Sequence, residues 1–341
     1  MRHAVFAPGV DSVASLTGRA LAATLLCIGA LSARADTASV SPDAPGDTAA
    51  AARASVAISA SAPAAARRAA MSVRDDRGTL VTLPGPARRA ITAAPHATEL
   101  VYAAGAGAYL AGTAQGSNHP AAALALPSIG TTLRPNLEIA TALRPDLLIA
   151  WQPTVPDPLG DLMQRLNVPV FYSDPRTLAA IPDAVETMGR LFGTEAQAAP
   201  VANALRARLT DLAARYRHST PVRVFIQAGL QPIYTLNDRS IVSDALRLCG
   251  GVNVFADMHT LAPQVSLESV LAARPDAVIA GTVDPDDHRR TLQAWQRHGL
   301  PAAQRGHVFN LDADALYRPG PRLIDMAEQI CRDLDRVRHP D

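Results

Sequence analysis

The chain has 341 residues, a formal net charge of +1 and 48% hydrophobic residues. A chain of this length can bury a large core and has room for two lobes. All 32 basic residues are arginine and they are thinly spread, so the sequence does not predict a nucleic-acid-binding surface.

The first 35 residues have the pattern of a secretory signal peptide. Arg2 and Arg19 precede the short apolar run 20–31, and the small-residue site Ala33-Arg-Ala35 follows. The run is shorter than the about 20 apolar residues that span a bilayer, although an uncleaved anchor helix is the alternative. We expect the mature chain to begin near Asp36 and to reside in the periplasm.

Cysteine usage fits an exported chain. Cys27 lies within the signal, and Leu26 before it argues against a lipid-attachment site. Cys249 and Cys331 remain, and an even count in an exported chain favours a disulfide, with two separate buried thiols as the alternative. No cysteine or histidine spacing indicates zinc.

The composition then divides the chain. Residues 36–72 are mainly Ala, Ser, Pro, Thr, Asp and Arg, which predicts a disordered linker. We expect order to begin near Val73, with a turn followed by a strand over 76–83.

An internal repeat is the most informative feature. Residues 136–150 and 266–280 match at eight of fifteen positions without a gap, at an offset of 130. Each copy opens with a helix N-cap candidate, Asn136 or Ser266, and its helix ends before a proline. An apolar run typical of a buried strand follows. The repeat predicts one helix–turn–strand unit used in two similar α/β lobes.

Between the copies, residues 194–218 predict one long helix, and 221–228 predict the first strand of the second lobe. Apolar residues at helical spacing mark its buried face: Val201, Leu205, Leu209 and Leu212. We therefore expect lobes at 73–193 and 219–338, and a connecting helix that limits how far they can hinge.

Five segments carry a pattern that is known from one family: 89–100, 146–151, 248–255, 262–268 and 318–322. Together they resemble the helical-backbone class (class III) of periplasmic binding proteins, in particular its cobalamin-binding (vitamin B12) members. The resemblance covers about residues 80–338. It implies two α/β lobes joined by a long α-helix, with the ligand cleft between them.

The resemblance also implies a role. Such proteins are not enzymes: they capture a small-molecule ligand and deliver it to the permease and ATPase of an ABC importer at the inner membrane. We expect a monomer without a cofactor or metal site of its own and without a nucleic-acid partner. The alternatives are a haem or ferric-siderophore binder of the same fold or, less expected, an exported α/β hydrolase.

Several residues take family roles. The resemblance implies that Glu138 and Glu268, one on each lobe, engage the permease. It places the disulfide of the C-terminal lobe on Cys249 and Cys331. It also places Trp151 in the lining of the cleft.

Further ligand contacts follow from the same resemblance. Asp314 and Arg318 correspond to an acidic–basic pair at the rim of the cleft. Tyr234 and Tyr317 are candidate ring contacts, with burial in the core as the alternative. The cobalamin pockets of the family are rich in aromatic residues, whereas aromatic residues make up only 4% of this chain.

Two histidines are candidate neighbours of the ligand. His119 precedes a proline where relatives often have a tyrosine, and an imidazole there could approach the metal of a bound tetrapyrrole. His96 could also face the cleft. An ordinary hydrogen-bonded histidine is the alternative for both.

Catalytic motifs are missing from the sequence. Gly105-Ala-Gly107 lacks the third glycine of the dinucleotide fingerprint, and H-E-x-x-H, G-x-S-x-G and P-loop patterns are not found. The acidic pairs at 286–287 and 312/314 indicate solvated turns. The sequence therefore favours a binding protein over an enzyme, and the resemblance implies a corrinoid as its ligand.

Overall fold

The computed structural model describes residues 70–151, 157–284 and 286–339. The predicted signal peptide and most of the predicted linker lie outside these residues. The first strand begins at Met71, two residues before the expected onset of order at Val73.

The strands in the described part of the chain are β1 (Met71–Arg74), β2 (Leu80–Leu83), β3 (Ala90–Thr92), β4 (Leu110–Thr113), β5 (Leu147–Ala150), β6 (Val170–Tyr172), β7 (Val222–Gln227), β8 (Gly229–Leu230), β9 (Ile233–Tyr234), β10 (Gly251–Asn253), β11 (Ala277–Thr282) and β12 (Val308–Asp312). The helices are α1 (Pro95–Ala103), α2 (Leu137–Ala142), α3 (Pro158–Arg165), α4 (Ala180–Phe192), α5 (Glu195–Tyr216), α6 (Ile241–Leu248), α7 (Leu267–Ala273), α8 (Asp286–Arg297), α9 (Pro301–Gln304), α10 (Ala313–Tyr317) and α11 (Arg322–Arg338), with short 3₁₀ helices at Gly107–Tyr109 and Ala121–Ala125.

The two lobes have the same sheet topology. The N-terminal sheet has the order β4-β3-β5-β6 and the C-terminal sheet the order β10-β7-β11-β12, and all pairs in both sheets are parallel. When only the strands of each four-stranded sheet are counted in chain order, both orders are 2-1-3-4. The predicted fold class, two similar α/β lobes joined by a long helix, is confirmed.

Alternate residues of the strands face different cores, as the period of two in a strand requires. In β5, Leu147 and Ile149 join the large central core, whereas Leu148 packs with α2 and α3. In β11, Ile279 joins the same central core, whereas Val278 packs on the outer side with Trp295. The inner faces of both sheets therefore contribute to one apolar core that is continuous between the lobes.

The sequence repeat is also a repeat of tertiary contacts. The turn after each repeat helix ends in an aspartate, Asp146 or Asp276. Its carboxylate accepts a hydrogen bond from the backbone N–H of an arginine at the neighbouring strand: Arg89 for Asp146 (3.0 Å) and Arg223 for Asp276 (3.1 Å). Each of these arginines in turn donates from its guanidinium to a carbonyl at the end of the repeat helix. The aspartate that is identical in the two copies thus helps to hold each repeat helix against its own sheet.

The long connecting helix is α5, whose 22 residues span about 33 Å. It begins after Thr194, as predicted, and continues through Pro200. Leu205 and Leu212 are buried, and the other two residues of the predicted stripe pack partly buried against the same core.

The predicted disulfide is confirmed. Cys249 at the end of α6 and Cys331 in α11 are bonded, with 4.7 Å between their Cα atoms, and both are fully buried. The bond ties the last helix of the chain to the C-terminal lobe.

Candidate ligand-binding cleft

The contacts between the lobes identify the edge at which the cleft lies. They come from α1 and the loop after β4 in the N-terminal lobe and from α10 and the start of α11 in the C-terminal lobe. All of these segments follow the carboxyl ends of sheet strands. Ligands of parallel α/β sheets bind at this edge, so the cleft lies between the carboxyl edges of the two sheets.

Each lobe has a pocket at this edge. In the N-terminal lobe the pocket is lined by strand ends and by the 129–135 turn, including Ala93, Ala150 and Trp151. In the C-terminal lobe a cavity of about 600 Å³ lies among the ends of β7 and β11, the β8–β9 hairpin and α8. Since β3 and β5 correspond to β7 and β11, the pockets occupy equivalent places in the two lobes.

Trp151 follows β5 directly, and 38% of it is exposed. Its indole N–H donates to Asp174 Oδ1 (2.8 Å), and its ring meets the edge of the His96 ring at 5.6 Å between centroids. Asp174 is itself bound to Arg176. The indole is therefore fixed in orientation while part of its surface stays available to a ligand.

His96 is buried, contrary to the expectation that it could face the cleft. Its Nε2–H donates to the Ser173 carbonyl (3.1 Å), and its ring lies behind Trp151. This nitrogen is therefore not available to a ligand metal. The role of His96 is to support Trp151.

Burial lowers the pKa of His96 to about 4, although the Ser173 carbonyl and the charge of Asp174 act in the opposite direction. In the unfolded chain the ring takes up a proton near pH 6.5. Its neutral form therefore stabilises the fold above pH 6.5, and we expect this contribution to be lost as the pH falls from 6.5 towards 4. Urea unfolding of wild type and His96→Gln at pH 7 and pH 4.5 checks this, because the variant should lose less stability to acid. A ring that titrates near 6.5 in NMR spectra of the folded protein would contradict it.

The two candidate tyrosines differ. Tyr234, in β9, is 39% exposed and follows Ile233, which lines the C-terminal cavity. The Tyr317 hydroxyl accepts from the Gly281 N–H (3.0 Å) and donates to the Gln227 carbonyl (2.9 Å). A Cβ at Gly281 would lie 2.3 Å from the Tyr317 ring, so the ring fits only because residue 281 is glycine. The Tyr317 hydroxyl thus joins β7 to β11, and contact of its ring with a ligand stays a prediction.

Asp314 and Arg318 do form a pair (2.5 Å), but Arg318 is held between the lobes. Its guanidinium donates to Asn118 Oδ1 (2.7 Å), to the Gly116 carbonyl (3.1 Å) and to Glu99 Oε1 (3.2 Å). Asn118 also donates to Asp314 Oδ2 (2.7 Å). The acidic–basic pair is therefore present, but the Arg318 side chain is only 13% exposed and binds the lobes to each other, whereas Asp314 keeps an exposed fraction of 36%. Contact of either residue with a ligand stays a prediction.

Glu99 is the residue that the sequence did not reveal. Its side chain is 2% exposed in α1, and Arg322 binds both of its oxygens (3.0 and 2.7 Å). Hydrogen bonding to Glu99 raises the pKa of Arg322 above its ordinary value. The sequence did hold one signal: a glutamate on the buried side of a helix must have a partner.

His119 is exposed in the loop after β4, next to Asn118. Of the two histidines predicted near the ligand, His119 is the one whose imidazole is exposed. Its role stays a prediction.

Glu138 and Glu268 lie exposed in the first turns of α2 and α7. In both copies the N-cap side chain accepts a hydrogen bond from a backbone N–H, at Ile139 or at Ser269. The pKa of Glu268 is lowered because its carboxylate accepts hydrogen bonds from its own backbone N–H and from the Ser266 hydroxyl. The lobes thus present two carboxylates in equivalent settings.

Within residues 70–151, 157–284 and 286–339, no group of three or more His, Cys, Asp and Glu side chains could hold a metal ion. In the same ranges, no helix has both the length and the apolar composition that crossing a membrane requires.

Comparison with known proteins agrees with this geometry. A family described as periplasmic binding protein matches residues 91–315. The vitamin B12-binding protein of Vibrio cholerae is 37% identical over 256 residues, 75% of this chain and 92% of that protein, and that of Yersinia pestis is 33% identical over 264 residues, 77% and 92%.

Solved structures give the same result. A crystal structure of the periplasmic vitamin B12-binding protein of Vibrio cholerae is similar with a TM-score of 0.69 and 36% identity, covering 74% of this chain and 98% of that one. A periplasmic haem-binding protein from Roseiflexus shares the fold with a TM-score of 0.65 at 22% identity, covering 74% and 99%. The chain belongs to the periplasmic binding protein family and is a homologue of its vitamin B12-binding members.

Proposed function

We propose that the chain captures cobalamin or another corrinoid in the cleft and delivers it to the permease of an ABC importer. The observation that carries this is the fixed, partly exposed indole of Trp151 in a chain whose relatives are vitamin B12-binding proteins. A corrin has a broad apolar face ringed by amides. Trp151 and Tyr234 supply aromatic contact from opposite lobes, and Asp314 supplies a hydrogen-bond acceptor.

Export of the chain belongs to the same proposal. The signal-peptide pattern ends near residue 35, so the mature protein begins near Asp36 and works as a periplasmic monomer without a cofactor of its own. Edman sequencing of the protein from a periplasmic extract tests the cleavage site.

The experiment is a spectrophotometric titration of the purified mature chain with cyanocobalamin and, separately, with haemin. We expect a saturable one-to-one absorbance change with cyanocobalamin, and recovery of the ligand chemically unchanged after denaturation. Hydrolysed ligand would indicate an enzyme instead.

Haem is the second candidate, and the exposed His119 favours it, because haem iron takes an axial imidazole ligand. If haemin binds more tightly and His119→Ala abolishes its Soret shift, the ligand is haem. If cyanocobalamin binds and His119→Ala leaves its affinity unchanged, the corrinoid assignment stands.

Trp151→Ala should weaken cyanocobalamin binding about ten- to a hundredfold, since loss of aromatic contact costs on the order of 1–3 kcal/mol. Because the ring is partly exposed, the midpoint of thermal unfolding should change little. Phe192→Leu is the control: this ring is fully buried in the central core and lines neither pocket, so its loss should act on stability more than on affinity. Unchanged affinity together with a large loss of stability in Trp151→Ala would contradict the prediction.

A further inference from the structure

Exposed apolar side chains concentrate at the edge of the molecule that carries the cleft. In the described residues, eleven large apolar side chains are exposed. Eight of them lie in segments that follow the carboxyl ends of sheet strands: Leu124, Leu133, Ile139, Trp151, Tyr234, Met258, Leu261 and Val283. Exposed apolar residues scattered singly are normal, but a concentration at one end marks an interaction surface.

Part of this set does not line the pockets but lies in the segments that carry or lead to the two exposed glutamates. Leu133 is 78% exposed at the tip of a turn closed by pairing of Gly130 with Pro135, and Ile139 is 38% exposed directly after Glu138. The flanks of the same turn line the N-terminal pocket. Leu133 and Ile139 therefore stand at the rim, over which a ligand must pass.

The C-terminal lobe has a counterpart. Leu261 (46% exposed) and Met258 (37% exposed) lie in the segment that leads to Glu268. Leu267, next to Glu268, lines the C-terminal cavity. Any protein that receives the ligand directly from the cleft must cover both rims, and it meets an apolar pair and a carboxylate on each.

We propose that these two apolar pairs anchor the protein on the periplasmic face of the permease, while Glu138 and Glu268 set the encounter rate and the register. The inference rests on the proposed function. Exposed ion pairs contribute little binding energy each, and complementary charge acts mainly on association. Well-packed apolar contacts at an interface control dissociation.

The test measures binding of the ligand-loaded mature chain to the cognate permease–ATPase complex in lipid nanodiscs, at low and high salt. Leu133→Ser/Ile139→Ser should dissociate at least tenfold faster, with an unchanged association rate and salt dependence. Glu138→Arg/Glu268→Arg should associate at least tenfold more slowly and lose the salt dependence. Leu166→Ser is the control, since Leu166 is 46% exposed at the end of α3, where the chain leads to the amino end of β6 and so to the opposite edge of the sheet.

Cyanocobalamin affinity should be the same in all of these variants. Wild-type dissociation of the Leu133/Ile139 variant would overturn the apolar anchor, and so would a loss of ligand affinity, which would assign the pair to the ligand site. Failure of the unaltered protein to bind the complex would instead contradict the proposed function. The two failures are therefore distinguishable.

Discussion

Glu99→Gln should lower the free energy of unfolding by about 3 kcal/mol, because removing one partner of a buried ion pair leaves the other charge uncompensated. Here two guanidinium groups lose their shared carboxylate: Arg322, which binds both of its oxygens, and Arg318. The substitution keeps the size of the side chain, so the loss reports on charge. Urea unfolding followed by circular dichroism measures it.

The same change should weaken cyanocobalamin binding about tenfold, since Arg318 also orients Asn118 and Asp314 across the cleft. Glu186→Gln is the matched control, because Glu186 pairs with Arg206 but both side chains are more than a third exposed. Exposed pairs contribute under about 1 kcal/mol. If both variants lose the same free energy of unfolding, the ion pairs of Glu99 contribute no more than a surface salt bridge does.

Cys249→Ala/Cys331→Ala should lower the free energy of unfolding by about 4 kcal/mol in the chain-entropy model, since the bond closes a loop of 82 residues. We expect hydrogen exchange to accelerate first in α11, which the bond ties to α6. Urea unfolding and exchange mass spectrometry measure the two effects.

The reduced wild-type protein is the control for this variant, because it loses the bond without losing the buried sulfur atoms. If the reduced protein is as stable as the oxidised one while the alanine variant is weakened, packing of the sulfurs and not the cross-link stabilises the C-terminal lobe.

The fold was predictable where local patterns and the sequence repeat agreed. The helix–turn–strand units at 136–150 and 266–280 carry their own N-caps, prolines and apolar runs, so they appear in the structure as predicted. The connecting helix was equally evident from its apolar stripe.

The site was predictable only in part, because its contacts join residues far apart in the chain. Glu99 binds Arg318 across 219 residues, so its place on the buried side of a helix predicts that it has a partner but not which residue that partner is. The hydrogen bonds of the Tyr317 hydroxyl were not predictable for a related reason: both of its partners are backbone groups, which carry no side-chain signature. His96 illustrates a third case, since only packing against Trp151 shows that its ring is covered.

The continuous core between the lobes has a kinetic consequence. A protein that must close around its ligand gives up part of its intrinsic affinity to populate the competent shape. Here the inner faces of both sheets share one core, and the ion pairs of Glu99 add a second connection between the lobes. Capture therefore needs little conformational work and can proceed in one step. Opening the cleft would in turn strain this core or break these ion pairs, so the same rigidity should slow the escape of a bound ligand.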